Sequence, residues 1–199
     1  MTQIALATED ALSEAIGLRL LAELPFPVVP NLTFGKKGSG YLRSNMPKWR
    51  QIARRQAMLI LTDLDRIDCA PTMLADWVGR TPLPEDFVLR IVVREIESWA
   101  LADHVAMRVL IGSKGTLPPS PDTLPDPKRH LLGLAKSASR SVRSDLLVDA
   151  GAIASQGIGY NARMIAWVQT DWSPVRAASR SPSLERTRTR LRELAINTI

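Results

Sequence analysis

Leu59-Ile60-Leu61-Thr62-Asp63-Leu64-Asp65 is the stretch whose reading decides how this chain folds. Its apolar opening suits a strand covered on both faces, as in the middle of a parallel sheet. Side chains alternate along a strand, so Asp63 and Asp65 emerge on one side at its carboxyl end. Two carboxylates held that close repel each other unless a proton or a cation lies between them. A hard divalent cation such as Mg²⁺ is one answer. A strand end leading into an Asp-rich turn, with Asp65 capping the next element, is the other.

Working outward from this stretch, strand and helix patterns alternate on both sides of it. Upstream, Ile4 to Thr8 is an apolar run of strand length that ends at Glu9-Asp10. Leu12, Ala15, Ile16, Leu20 and Leu24 then recur at helical spacing until Pro25 and Pro27 stop the helix. Phe26 to Phe34 is extended, and Pro27 and Pro30 demote it to an edge or irregular strand. The loop Gly35-Lys36-Lys37-Gly38-Ser39-Gly40 lacks the Walker spacing. It reads as a flexible turn, or as a loop that brings Lys36, Lys37 and backbone N–H groups to a phosphate. Pro47 to Gln56 reads as a helix with a basic face of Lys48, Arg50, Arg54 and Arg55, feeding a strand over 57–63.

Downstream, Pro71 starts a helix that runs through Leu74, Trp77 and Val78. Phe87 to Val93 is the strongest strand pattern in the chain, dense in β-branched residues. Arg94-Glu95-Ile96-Glu97 comes next, and a helix is expected to run on to about Ile111 with Glu95, Trp99 and Asp103 on one face. The alternation predicts an α/β fold with a mainly parallel sheet flanked by helices. In such sheets the carboxyl ends of the strands form the functional edge. Here that edge would carry Glu9, Asp63, Asp65 and Glu95 or Glu97, a candidate metal-binding set from three strands.

The stretch Leu117 to Pro127 holds five of the 14 prolines and reads as a linker or an ordered wrap. Beyond it the pattern is helical over about 128–147, 160–170 and 183–195, with Gly151, Gly157 and Gly159 in the breaks. The last helix has an apolar stripe of Leu184, Thr187, Leu191 and Leu194 ringed by Arg186, Arg188, Arg190 and Arg192. These arginines form a solvated face or a phosphate-contacting one. The expected organisation is an α/β domain over 1–112 and, over 113–199, a Pro-rich linker and basic helical extension packed on it.

Composition sets the class. With 199 residues, 45% hydrophobic and 23% charged, the chain has the make-up of an ordinary globular protein. No run approaches the ~20 apolar residues of a membrane span, and Met1-Thr2-Gln3-Ile4 does not open a secretory signal. The cytoplasm is the default expectation. The single cysteine, Cys69, excludes an internal disulfide, and two histidines make a His-based metal cage implausible. The net charge of +6 resides wholly after residue 112, where 13 Lys/Arg face 7 Asp/Glu. A neutral half with an acidic edge joined to a basic half suits an enzyme that acts on a polyanion. It equally suits a protein with an Arg-rich surface.

The ordered set of Glu9 and then Asp63-Leu64-Asp65, on alternating strands, resembles the Toprim domain shared by topoisomerases, primases, recombination-mediator proteins and OLD-family nucleases. A fuller run is similar to an uncharacterised bacterial Toprim-like family of the DUF4276 type, often found beside ATPase genes. The resembling pieces are Glu9 to Glu14, Leu61 to Arg66, Arg94 to Asp103, Asp126-Pro127-Lys128 and Tyr160-Asn161. The resemblance implies that Asp63 and Asp65 hold Mg²⁺ or Mn²⁺ and that Glu9 is a further ligand or an acid/base. It departs from the pattern at one position: Toprim proteins usually place glycine after the first glutamate, where Asp10 stands here.

The expected function is a Mg²⁺-dependent phosphodiesterase, a nuclease of DNA or RNA in a bacterial defence or repair system. Asp63 and Asp65 would bind the metal, Glu9 would complete the shell or move the proton, and Glu95 or Glu97 would recruit a second ion. Lys36 and Lys37 would neutralise phosphate charge, and Lys128, Arg186 and Arg190 would bind flanking backbone. Tyr41 and Tyr160 lie in no context that suggests a topoisomerase nucleophile. The alternative is a nucleic-acid-binding subunit, without catalysis of its own or dependent on an ATPase partner. A homo-oligomer is compatible with either reading, and a membrane partner with neither.

Overall fold

A computed structural model describes residues 3–24, 28–148 and 155–197. The chain forms two compact units, Met1–Val93 together with Arg186–Ile199, and Arg94–Glu185. The boundary expected after residue 112 therefore falls inside the second unit.

The first unit is α/β. Its elements are β1 (Ile4–Thr8), α1 (Ala11–Ala22), β2 (Leu32–Gly35), α2 (Ser39–Ser44), α3 (Met46–Ala53), β3 (Ala57–Asp63), α4 (Ala70–Val78) and β4 (Phe87–Val92). The sheet is wholly parallel, in the order β2-β1-β3-β4. Both faces are covered, which is why β1 and β3 are near-continuous apolar runs. On one face Ala5, Ala7, Met58, Ile60, Phe87 and Leu89 pack with Leu42, Met46, Trp49, Met73 and Trp77 from α2, α3 and α4. On the other face α1 approaches so closely that a Cβ on Gly17 would lie 3.1 Å from Leu6 Cδ1 and 3.2 Å from Leu61 Cδ1.

The extended stretch expected over 26–34 pairs with β1 only from Leu32 to Gly35, as the edge strand that prolines tolerate. Residues 25–27 lie outside the described ones. The short helix α2 has too few residues to show a period, so sequence patterning does not reveal it. From Arg186 onward the last helix, α11 (Pro182–Asn197), belongs to this unit. Its Leu191 lines a small hollow with Leu20 and Leu24 of the α1 end. Arg188, only 7% exposed, is ion-paired with Glu23.

The second unit is mostly helical, with α5 (Ile96–Ala102), α6 (His104–Ile111), α7 (Pro127–Ala135), α8 (Arg140–Leu146), α9 (Tyr160–Thr170) and α10 (Pro174–Ala178). A two-stranded antiparallel ribbon, β5 (Leu147–Val148) and β6 (Ser155–Gln156), occupies the expected break before α9, and the helix expected over 128–147 is two, α7 and α8. The expected break at Gly151 lies outside the described residues. The one helix expected through Ile111 is two, broken at Asp103. Asp103 ends α5 and caps α6 by accepting from Ala106 N at 3.2 Å, so it does not continue a helical face with Trp99. The indoles of the unit hold it together: Trp99 Nε1 donates to Ser183 Oγ, Trp172 Nε1 to Trp99 O and Trp167 Nε1 to Ala106 O. The Pro-rich stretch is an ordered wrap, with a 3₁₀ turn at Pro121–Thr123. Its Asp122 accepts from Ser181 Oγ at 2.7 Å and from Ser183 N at 2.9 Å. Among the described residues no helix is long and apolar enough to cross a membrane.

Candidate active site at the carboxyl edge of the sheet

The strand order places β1 between β2 and β3, so the chain leaves β1 toward β2 at one edge and leaves β3 toward β4 at the other. The carboxyl ends of β1 and β3 therefore border a topological switch point, where open parallel sheets bind ligands. Glu9 stands at that point, directly after β1. Its Oε2 accepts from Thr62 Oγ1 at 3.0 Å and from Asp63 N at 3.1 Å, both at the end of β3. Burial pushes the Glu9 carboxyl above its ordinary value; the charges of Asp65 and Asp10 add to this, and the two hydrogen bonds oppose it. Among the described residues no lysine or arginine pairs with Glu9.

Asp63 is half-buried, with its Oδ1 shielded from solvent, and Asp65 is exposed. Asp65 sits at φ 51°, in the left-handed region that aspartate enters more readily than most residues. That backbone turn comes directly after Leu64, whose N–H donates to Val92 O at 2.9 Å and whose side chain is buried. Asp65 thus belongs to a turn anchored by Leu64, and no helix begins until Ala70.

Asp10, the position at which the chain departs from the usual Toprim glycine, caps α1: its Oδ1 accepts from Ser13 N at 2.7 Å. That cap satisfies one of the N–H groups a helix start leaves over. The residue that departs from the pattern thus serves the helix, and its charge also bears on Glu9.

The glycine-rich loop after β2 folds onto the same edge. Lys36 N donates to Thr8 O at 2.9 Å and Gly38 N to Glu9 O at 3.1 Å. Those two amides serve the sheet and are not offered to a ligand, in contrast to the phosphate-cradling reading of the loop. Gly35, at φ 102°, passes so close to β1 that a Cβ there would stand 1.9 Å from Thr8 O. Lys36 itself takes a positive φ of 59°, and its Nζ lies 3.2 Å from Glu14 Oε1. Lys37 Nζ stands 5.2 Å from the Tyr41 ring centroid. Both lysines are exposed and flank the acidic edge.

Glu9, Asp63 and Asp65 supply the hard oxygen donors Mg²⁺ takes, but no group of three His, Cys, Asp or Glu among the described residues is close enough to form a metal cage. Mg²⁺ is usually held by one or two carboxylates, with waters and substrate phosphates filling the shell. The donor set fits that mode, and it does not fit an all-protein cage.

Glu95 and Glu97 lie in the second unit and are engaged there. Glu97, 3% exposed, accepts from Tyr160 Oη at 2.8 Å and lies 3.5 Å from Lys128 Nζ. Glu95 Oε2 accepts from Lys128 N at 2.8 Å. Burial raises the Glu95 carboxyl above its ordinary value, with Glu97 and Asp126 adding to it. Lys128 Nζ also stands 5.1 Å from the Tyr160 ring centroid. The pieces Arg94–Asp103, Asp126–Lys128 and Tyr160, far apart in sequence, therefore meet around Glu97.

Of the arginines expected to bind phosphate, Arg190 donates to Glu85 O at 2.8 Å and lies 3.4 Å from Glu193. Arg190 and Arg186 both lie near the half-buried Arg90, whose acidity is raised by burial and then by these two positive neighbours. Thr62 is the site residue that sequence reasoning missed. The signal was present, as a hydroxyl in an otherwise apolar strand directly before Asp63. Comparison with protein-family models, with curated proteins and with solved structures finds no match to this chain.

Proposed function

We propose that the protein is a Mg²⁺-dependent phosphodiesterase of Toprim type that acts on nucleic acid at the carboxyl edge of β1 and β3. The observation that carries this reading is Glu9: a half-buried carboxylate at the switch point, disfavoured as an anion, beside Asp63 and Asp65 and paired with no cation among the described residues. Such a carboxylate suits proton transfer or partnership with an incoming ion. Bound Mg²⁺ would polarise the scissile phosphate and acidify a coordinated water. Asp63 and Asp65 would hold it together with the substrate's own phosphate oxygens. Thr62 and the Asp63 amide orient Glu9 so that its other oxygen can take a proton from the attacking water. Lys36 and Lys37 supply positive charge beside the edge.

Plasmid and single-stranded substrates incubated with Mg²⁺ or Mn²⁺ test this. Cleavage is expected, with loss on chelation and a fall of at least about 100-fold in the Asp63→Asn variant. Cleavage that survives Asp63→Asn would sink the assignment. A second reading, a nucleic-acid-binding subunit that works with an ATPase, is favoured by one observation: no three-carboxylate group is formed among the described residues. Tight binding of the same substrates without cleavage under either metal would select it.

A further inference from the structure

The end of α3 and the turn into β3 carry a second basic feature, at the amino end of the sheet. Lys48, Gln51, Ile52, Arg54 and Arg55 line an open hollow of about 420 Å³. That is within the usual size of small-ligand pockets, about 300–1,000 Å³. Its lining holds three cations and no carboxylate. The fourth basic residue of this helix, Arg50, is structural: its Nη1 donates to Pro82 O at 2.7 Å and its Nη2 to Val78 O at 2.6 Å. Lys48, Arg54 and Arg55 have no ion pair among the described residues. Lys48 is nevertheless held in place, its Nζ lying 4.7 Å from the Phe34 ring centroid and 5.2 Å from that of Trp49. A cation over two rings is partly ordered before any ligand arrives.

We infer that this hollow binds consecutive phosphates of a nucleic-acid backbone. Three uncompensated positive charges around one concave surface select a polyanion, and the aliphatic stems with Ile52 give the sugar edge an apolar floor. Only the identity of the polymer rests on the functional reading above. The seven residues of β3 separate the two ends of the sheet by about 20 Å. At about 3.4 Å per phosphate, that corresponds to roughly six steps of one duplex strand. Arg54 and Arg55, in the turn that leads into β3, would thus grip backbone well away from the acidic edge.

The test is binding of a labelled single-stranded 20-mer in EDTA, read by fluorescence anisotropy at several salt concentrations. Each phosphate contact contributes about 0.7 to the slope of log affinity against log salt. Loss of three contacts in Lys48→Gln/Arg54→Gln/Arg55→Gln should flatten the slope by about 2. The parent-to-variant affinity ratio should then shrink about 18-fold between 50 and 200 mM salt. All three side chains are exposed, and an unchanged circular dichroism melt confirms that the variant folds. EDTA withholds any divalent ion, so the slope reads binding without cleavage, and failure of the hollow and failure of the catalytic reading show separately. Equal slopes for parent and triple variant would overturn the inference. So would inorganic tripolyphosphate binding at the hollow while the 20-mer does not, which would make the ligand a free oligophosphate.

Discussion

Asp103 offers the sharpest structural test. Its side chain is fully buried, yet four groups converge on it: Ala106 N, Ser173 N at 2.8 Å, and Arg176 through Nε at 2.9 Å and Nη2 at 2.8 Å. One carboxylate therefore starts α6, fixes the chain before α10 and anchors an arginine. Asp103→Ala removes both acceptor oxygens. Breaking a buried ion pair by deleting one partner costs about 3–5 kcal/mol, and an unmet buried amide about 1–3 kcal/mol. The Arg176 side chain is 42% exposed, so water recovers part of its share and the low end applies. The expected loss is about 3 kcal/mol, equivalent to about 6–12 °C in Tm for a chain of this size. Asp103→Asn keeps an acceptor for the helix start but loses the charge, and should cost about 2 kcal/mol. Urea and thermal unfolding monitored by circular dichroism at 222 nm measure both. Parent-like stability of Asp103→Ala, within about 0.5 kcal/mol, would refute the assignment of these contacts as a structural hub.

Two further expectations concern the same chain. Gly35→Ala places a Cβ against Thr8 O in a backbone at φ 102°, and should cost at least about 2 kcal/mol by urea denaturation; a neutral result would show that β2 can leave β1 freely. Glu95 has a folded-state pKa above its ordinary 4.5, so the native state binds its proton more tightly than the unfolded chain does. Its contribution to stability is present at low pH and is lost as pH rises from about 4.5 through the raised value. Glu95→Gln should remove that loss, so urea midpoints of parent and variant should diverge across this window in the variant's favour. Parallel pH profiles for the two proteins would contradict the burial argument.

The sheet was legible because its strands are covered on both faces and so read as apolar runs. Ala57–Asp63 was expected to its ends, and Phe87–Val92 to within one residue. The second unit was less legible, because its breaks depend on contacts distant in sequence. Asp103 begins α6 by a local cap on Ala106 N, but the Ser173 and Arg176 groups that hold it there lie 70 and 73 residues downstream, and a helical period carries no trace of them. The same holds at the acidic edge. Glu9, Asp63 and Asp65 could be picked out by residue type and strand position. Thr62 as the partner of Glu9, and Lys128 as the partner of Glu97, arise from tertiary placement alone. The basic helix divides in the same way: Arg50 is consumed by two carbonyls, while its neighbours Lys48, Arg54 and Arg55 are not.

The first unit takes its last segment, Arg186 onward, from beyond the whole of the second. On a ribosome adding about 5–20 residues per second, the 92 residues from Arg94 to Glu185 occupy about 5–18 s. Throughout that interval β1 to β4 and α1 have been synthesised, but Leu20 and Leu24 await Leu191, and Glu23 awaits Arg188. Until α11 arrives, that apolar strip of the first unit lacks its cover. A message cut short before residue 186 would leave that strip open for good.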